Sequence, residues 1–517
     1  MAKNILFKKS LIFFMIFLVL NTTILPTINS KSTDLKYENK NYNSNNDWLD
    51  AQYIYNISEN LSNIIFTEYN ESAGEIPKGR AFGTKGEHKA AEIIQENMTK
   101  IGLWTWREQI SNIPGYKKNS KLTEKIEILD YNFILNSKIS GISEKVDCFV
   151  NPSWFNPNNN PDDLNKTFNF ENLKIILSPK YPLLINKTLQ QEEKFIFIKN
   201  PNEVERNYLI RKLFSVMGMG GVEFFIRVKN EDINIKFWQE NYPNCCGFID
   251  YDNHNDTYDM KSRRYNLPII YINGSIGNKL LNNLDEYTVD FFLKQRYNDS
   301  VISYNIIGQL NGTCNDKTVI VCCLYDSWWG QGTTDAAIGM AMVLSIAKYF
   351  VEHNIEPYYK VKFIGFCGEE YGMRGSTYYE NTHKKEKIRY VIDFNQLGFK
   401  QEEPKPTLEI AVNKIKFLID IWNLINETNY KEKTEYKYDI KPRYMPIGHI
   451  SDDRTFATKR LLCKTVCLLK NDWDLHHRCG MNYSKGDVFE NIDWNDVSAT
   501  AEIALNITKF VTLKNFK

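Results

Sequence analysis

The sequence predicts an α/β fold: a mostly parallel, mixed sheet with helices on both faces, plus a small inserted α/β domain. Three observations predict it. Beyond residue 299, apolar strand-like runs alternate with segments of helical period, and the strand runs end in polar residues and glycine. Between about 136 and 298 that rhythm gives way to short strands among Asn/Pro loops such as Asn151-Pro-Ser-Trp-Phe-Asn-Pro-Asn-Asn-Asn-Pro161. The chain has 517 residues, 43% hydrophobic and 14% aromatic, enough for a sizeable core and two or three domains.

At the N-terminus, Lys3, Lys8 and Lys9 precede an unbroken apolar run from Leu11 to Leu20. That is the length of a secretory h-region and short of the roughly 20 residues a membrane span needs. No Ala-x-Ala cleavage site follows, so residues 1–30 read as a signal peptide or an uncleaved anchor. The expectation is a secreted or extracellular protein, membrane-bound only if that segment is retained. Asn-x-Ser/Thr sequons such as Asn56, Asn97, Asn165 and Asn273 agree with a glycoprotein, although an Asn-rich chain also makes them by chance. Ten cysteines, an even number, permit disulfides in that setting. Cys322, Cys323 and Cys367 lie on buried-looking strands; Cys148, Cys245, Cys246, Cys314, Cys463, Cys467 and Cys479 are the disulfide candidates. A net charge of +1 gives no reason to expect a nucleic-acid partner.

Residues 31–135 open with a polar stretch to about 47, then helices over about 48–61 and 86–101. The 136–298 segment contains the runs Lys194–Lys199, Gly218–Ile226 and Leu267–Ile272, the last followed by a helix-like stretch from Gly274. The 299–517 region reads as strand 318–323, helix 336–352, strand 359–366, helix 374–382, strand 388–397, helix 410–425, strand 464–469 and helix 494–512.

The chemistry is concentrated where strand 359–366 runs into Cys367-Gly-Glu-Glu-Tyr-Gly372. Glu369 and Glu370 then sit at the C-terminal edge of the sheet, where open α/β folds build their sites. Paired acids at such an edge divide labour, one holding a metal and the other moving a proton. A solvated acidic turn would read the same way. Two further strand ends carry polar residues: Leu324-Tyr-Asp326, leading to Asp335-Ala-Ala-Ile-Gly339, and Asp393-Phe-Asn-Gln-Leu-Gly398.

In order and spacing these segments resemble metallopeptidase family 28, the di-zinc aminopeptidase and glutamate carboxypeptidase family, with its zinc-exopeptidase fold. The 136–298 insert resembles the protease-associated domain found in many members. The resemblance implies Glu369 as general base, with Asp335 and Glu370 as metal ligands. Asn395 stands at a further ligand position. Where the family carries His-x-Asp, this chain has Leu324-Tyr325-Asp326, and where it carries Tyr-His-Thr-x-x-Asp, this chain has Asn482-Tyr483-Ser-Lys-Gly-Asp487. Leu324, Asn395 and Tyr483 thus occupy degenerate ligand positions, and Asp326 and Asp487 stand behind the ligands. His476 or His477 could substitute for the missing imidazole; both also read as polar loop residues. Ser451-Asp452 matches a Ser-Asp element near the cleft or forms a solvated turn.

Leucine offers a metal nothing, asparagine only a neutral oxygen, and a phenol is seldom a ligand at neutral pH. At most one well-held zinc ion is expected, and an all-oxygen set would suit Ca²⁺ or Mg²⁺. The expected function is therefore a secreted zinc-exopeptidase-like protein with weak or no peptidase activity, retained to bind a peptide or protein. One alternative is an active metallo-exopeptidase with an altered ligand set. The other is a single-metal acyl transferase like the glutaminyl cyclases.

Overall fold

The structure is a computed structural model and describes residues 49–513, except 65–66, 71–73, 78, 114–121, 147, 152–164, 178–193, 199–244, 252–257, 260–267, 328–329, 400–406, 428–438, 450, 471–477 and 480–486. The N-terminal segment 1–30 and the run Gly218–Ile226 lie outside the described residues.

Eight strands form the main sheet: β1 (Trp104–Gln109), β2 (Tyr304–Leu310), β3 (Cys314–Leu324), β4 (Tyr359–Phe366), β5 (Ile388–Phe394), β6 (Thr407–Val412), β7 (Asp439–Tyr444) and β8 (Lys464–Leu469). Their order is β7-β6-β8-β5-β3-β4-β2-β1. The central run β8-β5-β3-β4 is parallel throughout, and β1 and β2 continue it antiparallel. A parallel centre must be covered on both faces, and it is. One face carries α3 (Ile338–Glu352), an almost wholly buried helix against which α1 (Ala51–Ser62), α2 (Lys85–Ile101) and α7 (Trp494–Leu513) pack. The other face carries α4 (Arg374–Thr382) and α6 (Asp453–Lys459), whose Tyr379 and Phe456 rest on Ile320, Cys322, Ile364 and Phe366. Local chemistry sets the helix ends: Thr84 caps α2 by accepting the Glu87 N–H, and Gly102 in the left-handed region closes it.

A second eight-stranded sheet is built on the antiparallel pairing of Lys125–Ser137 with Tyr287–Asn298. It starts before the boundary placed at residue 136. The strands Lys194–Ile198 and Ile269–Ile272 and the helix Gly274–Asn282 lie where the sequence suggested.

Two expectations are corrected. The helix expected over 410–425 is strand β6 followed by α5 (Ile415–Glu427). A short apolar run such as Leu-Glu-Ile-Ala-Val suits either period. Pairing with β7 on one side and β8 on the other makes it a strand. Of the disulfide candidates, Cys314, Cys463 and Cys467 are free thiols. Cys467 lies inside β8, buried between neighbouring strands.

Candidate metal centre

The ends of β3, β4 and β5 converge, and a single buried carboxylate joins the first two. Asp326, two residues past β3, accepts the backbone N–H of Glu369 at 3.0 Å and of Glu370 at 3.3 Å. Burial pushes the Asp326 carboxyl up to about 6, the two N–H donors partly restraining the rise. The turn needs Gly368: its φ is +63°, and a Cβ there would lie 2.7 Å from the Phe82 ring. Glu369 and Glu370 are half-buried at the rim. The Glu369 carboxyl is pushed well above the usual range by burial, then by Glu370, Asp452, Asp335 and Asp326.

Asp335 enters from the irregular turn Thr333–Ala337 that precedes α3, with a cis Asp335–Ala336 peptide. Asp487 holds this turn, accepting the Thr334 N–H at 2.6 Å and the Asp335 N–H at 3.1 Å. Asp335 Oδ2 accepts from Gln396 Nε2 at 3.1 Å. Burial and the Asp487 charge raise its carboxyl to about 7.

Sequence reasoning gave no role to Arg80 or Gln396. Arg80 is fully buried and donates to the backbone oxygens of Tyr325, Leu61, Gln331 and Gly332. Burial lowers its guanidinium to about 10, while Asp487, Asp326 and Asp335 act to hold the charge on. A buried arginine behind three acids is a counter-charge, but one Arg in a polar segment gives no sequence signal of that. Gln396 sits at φ +52° just past β5, and its Oε1 is buried with no hydrogen-bond partner. Asn395 donates Nδ2 to Ser451 Oγ at 2.9 Å and leaves its own Oδ1 buried and unpartnered. Ser451 and Asp452 are wholly buried, so that element is no solvated turn.

Leu324 is 0% exposed and packs in the main apolar cluster. Tyr483, His476 and His477 lie outside the described residues. His88, His353 and His383 are engaged elsewhere. His88 Nε2 lies 2.8 Å from Ile302 O, His353 and His383 sit against Tyr349 and Tyr379, and the backbone N–H of His449 donates to Asp453.

Whether these residues suit a metal can be judged from the orphaned oxygens. Asn395 Oδ1 and Gln396 Oε1 are buried acceptors without donors, and Gln396 lies against Asp335 through its Nε2. A buried acceptor without a donor costs about 1–3 kcal/mol, which a coordinated cation would relieve. The described donor set, all oxygen, fits one divalent cation. It lacks the nitrogen and sulfur ligands that make zinc sites tight.

Residues 305–508 match the model of Peptidase family M28. The chain is 23% identical over 395 residues to the Putative zinc metalloprotease TRE2 of Saccharomyces cerevisiae, covering 68% of this chain and 46% of that protein. The chain thus spans less than half the length of that relative. Among solved structures it resembles BSAP, a zinc aminopeptidase from Bacillus subtilis, with TM-score 0.58, 18% identity, and 90% and 96% of the two chains covered. It also resembles the Peptidase M28 precursor from Shewanella amazonensis SB2B, with TM-score 0.58, 13% identity, and 90% and 96% covered.

Proposed function

Because residues 305–508 match the model of Peptidase family M28, we propose that the chain is a peptide-binding member of that family with a reduced metal centre and weak or no hydrolysis. The observation that carries this is Leu324. The resemblance puts an imidazole ligand there, and the residue is instead fully buried in the apolar core. Asn395 weakens a second position by replacing a charged oxygen with a neutral one. The cleft would hold at most one cation, through Asp335, Glu370, Asn395 and Gln396. Zinc is the ion of the family, and calcium or magnesium suits the oxygen set better. The ligand would be a peptide or protein segment. In the same reading residues 1–30 export the chain, or tether it to a membrane if retained.

A second reading, an active metallo-exopeptidase, is favoured by one observation. The raised carboxyl of Glu369 is what a general base working near neutral pH needs. A cation bound beside it would supply Lewis acidity. Glu369 would take a proton from the attacking water and return it to the leaving amine. Asp326 would keep Glu369 and Glu370 in place through their backbone.

The test is metal quantification on the full chain together with a screen of peptides with free and blocked ends. Peptide binding with at most one ion per chain and negligible turnover is expected. Two zinc ions per chain, with turnover abolished in Glu369→Gln, would establish the hydrolase instead.

A further inference from the structure

Behind Asn395, on the sheet face covered by α4 and α6, lies a second group of ligating side chains. β5 runs between β3 and β8, and the parallel registers set Cys322, Asp393 and Cys467 side by side on three adjacent strands. Neighbouring strands are about 4.8 Å apart, which lets side chains at equal register meet. Asp453 reaches the same point from α6. Asp393, Asp453 and Cys467 each offer one ligand atom within 4.8 Å of the other two, all buried. Cys322 Sγ is 3.8 Å from Asp393 Oδ1.

The carboxylates are held by the frame around them. Asp393 Oδ2 accepts the Asp453 N–H at 3.1 Å, both Asp453 oxygens accept the His449 N–H at 3.1 Å, and Thr465 Oγ1 donates to Asp453 Oδ2 at 3.1 Å. An ionised carboxylate offers about four acceptor positions, so capacity remains. A further observation is Asp452, 0% exposed, with only Ser376 acting as a donor towards its carboxylate. The charge acting on it most is Asp393. A buried acid facing other acids favours taking up a proton or meeting a cation.

We propose that Asp393, Asp453 and Cys467 form a second, buried site for a thiophilic divalent cation such as zinc. Carboxylates combined with a thiolate select zinc over calcium and magnesium. Binding releases the Cys467 thiol proton to solvent. The site also steadies the cleft. Ser451 hydrogen-bonds Asp393 and accepts from Asn395 Nδ2, so a cation on Asp393 fixes the amide whose Oδ1 stands orphaned. This inference does not depend on whether the cleft is catalytic.

The test uses the reduced, full-length chain, stripped with a chelator and titrated with Co²⁺. A thiolate-to-cobalt charge-transfer band in the near ultraviolet is expected, lost in Cys467→Ser and reduced in Asp453→Asn. Glu370→Gln retains it, because the described cleft donors include no sulfur. No band in the unmodified chain, or a band that persists in Cys467→Ser, overturns the proposal. Should Cys467→Ser fail to fold by circular dichroism, Asp453→Asn and X-ray absorption of the cobalt-loaded unmodified chain decide. A sulfur neighbour and a reduced band support the site, and an all-oxygen shell or an unchanged band overturns it.

Discussion

Asp487 holds both N–H groups of the turn that presents Asp335, at 2.6 Å from Thr334 and 3.1 Å from Asp335, across 152 residues of sequence. The best-placed acid of the cleft is therefore oriented by another acid. Asp487→Ala leaves two buried N–H groups without an acceptor, each costing about 1–3 kcal/mol. A loss of roughly 2–6 kcal/mol of stability in urea denaturation is expected, with weaker divalent-cation binding by calorimetry.

Arg80 compensates Asp326, Asp335 and Asp487 from behind while it satisfies four backbone carbonyls. Arg80→Met removes both functions and keeps the bulk. A loss of roughly 3–5 kcal/mol, the usual cost of breaking a buried charge pair, is expected in chemical denaturation. A variant as stable as the parent would show that the charge is dispensable.

The metal-free protein should lose stability as pH rises from about 4 towards 7. Asp326 and Asp335 have folded-state values of about 6 and about 7, above their unfolded values near 3.9. In that window the folded chain binds more protons than the unfolded one, so the unfolding free energy falls with rising pH. Saturating divalent cation should flatten the decline by stabilising the ionised acids. Urea midpoints across the window, with and without chelator, read this directly.

Combining Leu324→His, Asn395→Asp and Tyr483→His should raise zinc affinity at least tenfold, since each change restores a ligand type that zinc prefers. Competition with a chromogenic chelator measures it. Unchanged affinity would mean these positions do not face the cleft.

Gly368→Ala puts a side chain where φ is +63° and the Phe82 ring is 2.7 Å from the new Cβ. Destabilisation of about 1–3 kcal/mol is expected, with Glu369 and Glu370 displaced and cation binding weakened in proportion.

The sequence by itself determined the order of elements in the core and the position of the acids. The run Tyr359–Phe366 is apolar enough to be a buried strand, and whatever follows a parallel strand emerges at the functional edge of the sheet. Strand β4 and helix α4 therefore have the bounds expected, and Glu369 and Glu370 lie between them. Strand β6 was not legible, because a short apolar run suits either period until its neighbours pair with it.

Tertiary structure alone decided which residues meet. Asp487 and Asp335, Arg80 and the 325–332 loop, and Asp393 and Cys467 are far apart in sequence. Each pair is brought together by strand register and by burial in one core. Hydrophobic periodicity fixes which face a side chain takes, whereas register between distant strands fixes its neighbour, and register is settled only when the whole sheet packs.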